Sequence, residues 1–429
     1  MQPMKLSVGG KADLFCIPTD RFKCEYLTVR FALPLTAQTA QKNALLLSVL
    51  PRGTVRYPTK TLFNRRLDEL YSTDISFRNQ RLGDMQYLSF SADFLGERYV
   101  SGEHGILPRV IDMLAQIIEH PATEGGILRT DFVESEKNNL RDAIRSAIND
   151  PRGYAAAKCR SLLCEGEPYA LSLYGKEETL SAVTCAGLMA HYTDLLRDNI
   201  PTFFYVGNTA PEAVAGLLAR AFSLSGAGSA PYLSVVKRGS GNVSAGEVEM
   251  PLCQGKLSLG FRSDISIGHR LAPALLLFNE IYGGSPASKL FLNVREKRSL
   301  CYQCASTADL YKGVLFASSG MKVDHRAVTE EAMLGEFAAM ARGEITQTEF
   351  DAARHSLDHS YRHVADNPAA LCDFYAGRAL AGNTDTVSDF RAALARTTRE
   401  DVIEAASHIR HGATFFVRGT YAADEGEEE

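Results

Sequence analysis

The sequence predicts an α+β chain of two homologous domains, each a largely antiparallel sheet packed against clustered helices. Two observations carry this expectation. Strand-like and helix-like stretches come in blocks, hairpins first and helices after, as in α+β domains rather than in regular strand–helix alternation. The second half also repeats landmarks of the first in the same order. Thr130-Asp131-Phe132 opens a long helix ending at Asp150-Pro151, and Thr348-Glu349-Phe350 opens one ending at Asp366-Asn367-Pro368. Thr184 precedes Leu188-Met189 as Thr398 precedes Val402-Ile403. Thr202-Phe203-Phe204-x-x-Gly207 returns as Thr414-Phe415-Phe416-x-x-Gly419. The separations of 218, 214 and 212 residues drift in one direction, which chance matches would not do.

Within the first half, 12–18 and 23–33 alternate like half-buried strands. Helices are expected over 39–50 and 59–70, then strands near 74–79 and 85–94. Helices come next near 106–119, 130–149 and 153–164, and Leu140, Ala143, Ile144 and Ala147 share one apolar stripe of the 130–149 helix. Residues 223–246 contain SLSGAGSAP and KRGSGNVSAG, a Gly/Ser-rich composition that reads as a linker interrupted by the strand-like PYLSVV. The expected layout is therefore a domain at 1–222, a linker at 223–247 and a second domain at 248–429.

The chain has 429 residues, 45% hydrophobic and 23% charged, with a formal net charge of −5. That length is enough for two or three domains of ~100–200 residues and for large cores. The acidic balance, with no basic cluster carrying aromatics, argues against nucleic acid. The N-terminus has no apolar signal-peptide core, and no apolar run approaches the ~18 residues of a membrane span, so a cytoplasmic chain without a membrane partner is expected. Nine cysteines without framework spacing read as free thiols. Cys301-x-x-Cys304 falls in an expected strand, where residues three apart point to opposite faces, so the two read as separately packed thiols and not as a redox pair. The tail Asp424–Glu429 reads as a solvated acidic end.

No G-x-S-x-G, P-loop, G-x-G-x-x-G, H-E-x-x-H or H-x-x-E-H is present. Two segments stand out instead. In GGSPASKLFLNVREKRSLCY, residues 283–302, a helix carrying Arg295 runs into a strand carrying Tyr302, seven residues later. Near the N-terminus, Gly53-Thr54-Val55-Arg56-Tyr57-Pro58 comes after an apolar helix. Together with the duplication these resemble the pitrilysin/insulinase/mitochondrial-processing-peptidase metallopeptidases, over almost the whole chain. The resemblance implies a LuxS/MPP-like fold. In active members the first long helix carries H-x-x-E-H before a G-T-x-x-Y/F-P stretch. Counting back places that motif at Ala44-Leu45-Leu46-Leu47-Ser48, with Ala44 and Ser48 at the histidine positions and Leu47 at the glutamate position. The third family ligand falls best at Ala143, beside Asp142.

Zinc requires three N, S or O donors at ~2.0–2.3 Å, and alanine and leucine offer none. The first histidine in the chain is His104, so no local shift of alignment restores the set. No metal or other cofactor is expected. The resemblance assigns Arg295 and Tyr302 to gripping a peptide backbone and stabilising the oxyanion near the scissile bond. From the residues alone the blander reading leads, with Arg295 in its charged run a solvated helix residue and Tyr302 a strand core residue; the matching flanks reverse the preference.

The expected function is that of a zinc-free subunit, inactive alone, that binds extended peptides and completes the site of a zinc-bearing paralogue. Active dimeric members pair two two-domain chains in this way. Two alternatives stand beside it. One is a homodimeric peptide-binding or structural protein without proteolysis. The other is a metallohydrolase using His355, His359 and His363, which recur every four residues on one helix face amid polar neighbours. His408 and His411 read as residues at a helix C-terminus, where a cation favours the dipole.

Overall fold

A computed structural model of the chain describes residues 2–100, 105–228, 231–232 and 234–421. The acidic tail and His104 lie outside these. The described residues fall into two compact units. The first draws on Met1–Arg145, Leu171–Leu233 and Val364–Thr386, the second on Ser146–Ala170, Ser234–His363 and Val387–Glu429.

The first unit contains β1 (Met4–Val8), β2 (Ala12–Pro18), β3 (Cys24–Pro34), β4 (Asp74–Leu82), β5 (Met85–Leu95), the short pair β6 (Thr123–Glu124) and β7 (Ile127–Leu128), and β8 (Thr202–Gly207). Its main sheet runs β1-β2-β8-β3-β5-β4, antiparallel except where β2 meets β8. The helices of its chain segment are α1 (Ala40–Val49), α2 (Lys60–Glu69), α3 (Ile106–Glu119) and α4 (Thr130–Ser146); α5 (Pro151–Leu163) comes next but belongs to the second unit; α6 (Glu177–Leu180), α7 (Cys185–Asp198) and α8 (Pro211–Ala221) return to the first. Leu27, Val29, Phe31 and Leu33 of β3 face a core shared with Leu45 and Leu46 of α1, Val110 and Leu114 of α3, and Leu188 of α7. The α3 boundaries agree with the apolar period of ILPRVIDMLAQIIE, which buries nine of its residues.

The second unit contains β9 (Ser244–Met250), β10 (Gly255–Arg262), β11 (Gln303–Asp309), β12 (Val314–Met321) and β13 (Arg410–Gly419) in the order β11-β12-β10-β13-β9. Only the β13–β9 pair is parallel. This order and these directions reproduce β4-β5-β3-β8-β2 of the first unit, so the duplication is visible in the sheets themselves. Its helices are α9 (Ala272–Asn279), α10 (Arg326–Ala341), α11 (Gln347–Val364), α13 (Val387–Arg396) and α14 (Arg399–Ser407), while α12 (Pro368–Leu380) lies in the first unit. Thr184 and Thr398 are the N-caps of α7 and α14, as the matched positions require. Asp150 and Asn367 likewise cap α5 and α12 ahead of their prolines.

Those two capped helices are exchanged. α5, from the first half of the sequence, packs Ala155, Cys159 and Leu163 against Ala413, Phe415 and Val417 of β13. α12, from the second half, packs on β3 and β8. The exchange corrects the expectation that β3 is half-buried. Its polar positions Thr28 and Arg30 are 0% and 3% exposed, because α12 covers the face that alternation assigns to solvent. It also shifts one repeat match by a residue. Phe204 lies under the Arg30 guanidinium on the α12 side, and its counterpart on the α5 side is Phe415, not Phe416. A one-residue slip inverts the faces of a strand.

Three smaller expectations also change. The buried face of α4 is Val133, Glu136, Lys137 and Leu140, whereas Ala143 and Ala147 are exposed. The described residues of 231–236 form no strand, while 244–247 already belong to β9. His408 does cap α14, with Nδ1 2.6 Å from Asp264, but His411 lies on β13 against Phe261, where burial holds it below the ordinary imidazole range.

A buried arginine ties down each exchanged helix. Arg262 donates from Nε and Nη2 to the Leu163 carbonyl at the end of α5, at 3.0 and 2.8 Å. Arg30, with 2% of its side chain exposed, pairs with Asp373 of α12, which also receives Arg78 at 3.0 Å. Asp373→Ala leaves the Arg30 charge buried without that carboxylate and is expected to cost about 2–3 kcal/mol, below the usual figure for a buried pair because Asp373 is one-third exposed. Arg78→Ala, at a side chain 46% exposed, should cost less than about 1 kcal/mol. Denaturant midpoints of the two variants check the difference.

Candidate functional site

The helix at the degenerate motif is α1. Ala44 is 5% exposed and Leu47 7%, both in the apolar core of the first unit. Ser48 is exposed, and its Oγ bends back to the Ala44 carbonyl at 3.4 Å. Nearby polar groups are committed to holding the helix. Asn43 donates to Gln86 Oε1 at 2.8 Å, and Gln86 donates to the Ala40 carbonyl at 3.1 Å. A histidine that sequence reasoning missed, His191 on α7, places Nε2 2.7 Å from Asn43 Oδ1. With Asn43 Nδ2 already donating to Gln86, Oδ1 is the acceptor and Nε2–H the donor. Burial keeps this imidazole below its usual pKa, hence neutral. Ala143 and Asp142 are exposed on α4. This donor set does not fit zinc.

The corner after α1 is intact as architecture. Thr54 is fully buried; its N–H donates to the Tyr57 carbonyl and its Oγ1 accepts from the Tyr57 N–H, both at 2.9 Å. A Cβ on Gly53 would stand 2.9 Å from the Pro58 carbonyl oxygen, so the corner admits only glycine without movement.

Arg295 and Tyr302 lie in the second unit. A wide helical turn with i→i+5 bonding spans Leu290–Lys297 and carries Arg295 near its end. Leu300 N–H closes it onto the Val294 carbonyl at 3.1 Å, and Ser299 supplies the left-handed residue at φ 51°. The guanidinium of Arg295 stands 4.6 Å over the Phe291 ring and its Nε 3.6 Å from Glu296, with 39% of the side chain exposed. Tyr302 is 52% exposed, and its N–H donates to the Gly320 carbonyl at 2.8 Å. Both line one open groove of about 610 Å³ with Glu296, Cys301, Lys322 and His325. The groove is rich in cations, and it opens beside β11, an edge strand of the sheet. Lys322 and His325 come from the segment after β12, and no sequence signal tied them to Arg295. Chemically, the groove offers a fixed cation, a phenol and a sheet edge, which suits carbonyl groups of an extended chain.

His355, His359 and His363 are exposed on α11. The Nε2 atoms of His359 and His363 are 3.2 Å apart, while His355 lines a different recess with Asp351, Asp358 and Arg391. Among the described residues no group of three histidine, cysteine or carboxylate side chains is placed to hold a metal. The metallohydrolase alternative therefore lacks its ligand set. Nor is any described helix long and apolar enough to cross a membrane.

Comparison with known proteins agrees with this geometry. Residues 182–357 match the family model described as the peptidase M16 inactive domain. A Bacillus subtilis (strain 168) protein named "Probable inactive metalloprotease YmfF" is 28% identical over 97% of this chain and 98% of its own length. The chain is similar to proteins of the M16 metallopeptidase family. The family model and that relative are both described as inactive, and in this chain the motif positions of α1 carry no histidine or carboxylate. An uncharacterized zinc protease of Mycobacterium tuberculosis (strain CDC 1551 / Oshkosh) is 26% identical over 58% of this chain and 57% of its own. Among solved structures, a conserved protein from Enterococcus faecalis V583 is 26% identical and aligns with a TM-score of 0.89 over 99% of this chain and 100% of that one. An M16 inactive domain from Pseudomonas fluorescens, 19% identical, shares the fold with a TM-score of 0.82 over 99% and 100% of the two chains. The α+β fold with two related units is the M16 fold.

Proposed function

We propose that this chain binds extended peptides through the Arg295–Tyr302 groove and completes the active site of a zinc-bearing relative. The observation that carries the reading is the contrast between the two elements. At the motif positions α1 offers a metal no more than the Ser48 hydroxyl, whereas Arg295 and Tyr302 stand exposed in one groove beside a sheet edge. A tyrosine kept for the strand core would be buried, and Tyr302 is 52% exposed. In this reading the cationic side chain and the phenol hold peptide carbonyls, and backbone pairing along an edge strand supplies affinity with little demand on sequence. Hydrolysis belongs to the partner, and the compartment is the cytoplasm.

Co-expression with an M16 chain of similar size that carries H-x-x-E-H tests the partnership. The expected result is a stable heteromer whose peptidase activity exceeds that of either chain alone. If the two chains elute separately and this one elutes as a dimer of itself, the zinc-free homodimer replaces this reading.

A further inference from the structure

The same groove holds a chemistry that the peptide reading does not use. Gly320 of β12 receives the Tyr302 N–H and also stands opposite Gln303 in the β11–β12 register, with Cys304 opposite Ser319 next. Tyr302 precedes β11, and its N–H reaches the carbonyl of the residue that Gln303 faces, so the chain enters the strand off the regular ladder. The chain bends at Tyr302, and Tyr302 and Gln303 are both exposed. Cys301 lies before β11, so strand alternation does not set its side. Cys301 and Cys304 are both buried, 8% and 5% exposed. Each thiol acts on the other's ionisation, so the two are neighbours, and Ser319 lies beside both. This overturns the expectation from strand alternation that they are packed apart. Neither is bridged, and Cys301 lines the groove with Arg295.

We propose that Cys301 and Cys304 are a reversible thiol–disulfide pair that reacts with peroxide entering the Arg295 groove. The Cys301 sulfur attacks one peroxide oxygen and the O–O bond breaks. One oxygen leaves as water and the other stays as a sulfenic acid. The Cys304 sulfur then attacks the Cys301 sulfur, the S–O bond breaks, and the hydroxyl leaves as a second water with the Cys304 proton. Two thiols lose two electrons and peroxide gains them. The environment sets the order of the steps. The neighbouring Cys304 thiol holds the Cys301 thiol below the usual range, and the Arg295 charge adds to this against the effect of burial. Cys304 is pushed upward by Cys301 and by its own burial. Cys301 is therefore the thiol that ionises and meets the oxidant, and Cys304 the one that resolves it. Tyr302 lies inside the ring that the disulfide closes.

The test uses the reduced full chain, a few equivalents of hydrogen peroxide, alkylation of remaining thiols and peptide mass mapping. Trypsin releases residues 299–312, which carry both cysteines and no other. The expected product is that peptide lighter by two hydrogens and unalkylated, restored by dithiothreitol. In Cys304→Ser the same dose should leave Cys301 as a sulfenic acid trapped by dimedone. The proposal is overturned if the peptide stays fully alkylated while the exposed Cys24 and Cys253 are consumed. It is equally overturned if wild-type Cys301 proceeds to the sulfinic acid without bridging. The readout is mass alone, so it stands or falls independently of peptide binding.

Discussion

Glu167→Gln is expected to destabilise the folded chain by about 3–5 kcal/mol, the range for breaking a buried ion pair from one side. Glu167 lies just after α5 and is only 9% exposed. Its Oε2 lies 2.7 Å from Lys312 Nζ, whose side chain is fully buried, and its Oε1 lies 2.7 Å from Arg262 Nη2, whose side chain is 7% exposed. Lys237 reaches the same oxygen at 2.6 Å but is 55% exposed. Glutamine keeps the shape and removes the charge, so two cations taken out of water lose their shared carboxylate. Arg262 also holds the end of α5 on the sheet, so its grip on the exchanged helix weakens as well. Lys237→Ala should cost no more than about 1 kcal/mol, because water screens that partner. Urea midpoints of the three proteins measure the contrast.

The same carboxylate gives the stability a pH dependence with a definite sign. Burial raises the Glu167 pKa, but Lys237, Lys312 and Arg262 outweigh it and hold the group below its ordinary value of 4.5. A depressed folded pKa stabilises above the unfolded pKa, and that contribution is lost as the pH falls through the folded pKa. Wild-type stability should therefore fall on acidification below about 4.5, and Glu167→Gln should show a shallower acid limb.

The second large effect is functional. Arg295→Ala is expected to lower the peptidase rate of a reconstituted heteromer by about 10²–10³-fold, the usual consequence of removing one oxyanion donor. The fold should not change, since Arg295 contacts only Phe291 and Glu296 among the described ion-pair and ring partners and is 39% exposed. Tyr302→Phe, which removes one hydroxyl, should fall between wild type and Arg295→Ala. Equal heteromer yields with unequal kcat values identify a loss at the site rather than a loss of assembly.

Local structure was readable where one physical signal governed it. The apolar period of 106–119 marks α3 to the residue, and Thr184 and Thr398 mark two helix starts by their hydroxyls. The degenerate motif on α1 was equally plain, because no packing arrangement gives Ala44 or Leu47 a ligand atom. The features that stayed hidden depend on distant chain segments. Thr28 and Arg30 look solvated until α12, more than three hundred residues on, covers them. Lys322 and His325 join the groove through the β11–β12 hairpin and leave no mark near Arg295. Cys301 and Tyr302 lie just before β11, off its ladder. Alternation reasoning extended the strand over them, and this put Cys301 and Cys304 on opposite faces.

The central claim is that this chain holds peptides and does not cut them. Its most direct test is fluorescence anisotropy of a labelled, unstructured peptide titrated with the purified chain in the presence of zinc, with mass analysis of the peptide afterwards. The account predicts saturable binding, an intact peptide after prolonged incubation, and affinity weakened about tenfold or more, at least 1.4 kcal/mol, in Arg295→Ala. Cleavage products that persist on further purification, or binding that Arg295→Ala leaves unchanged, would contradict it.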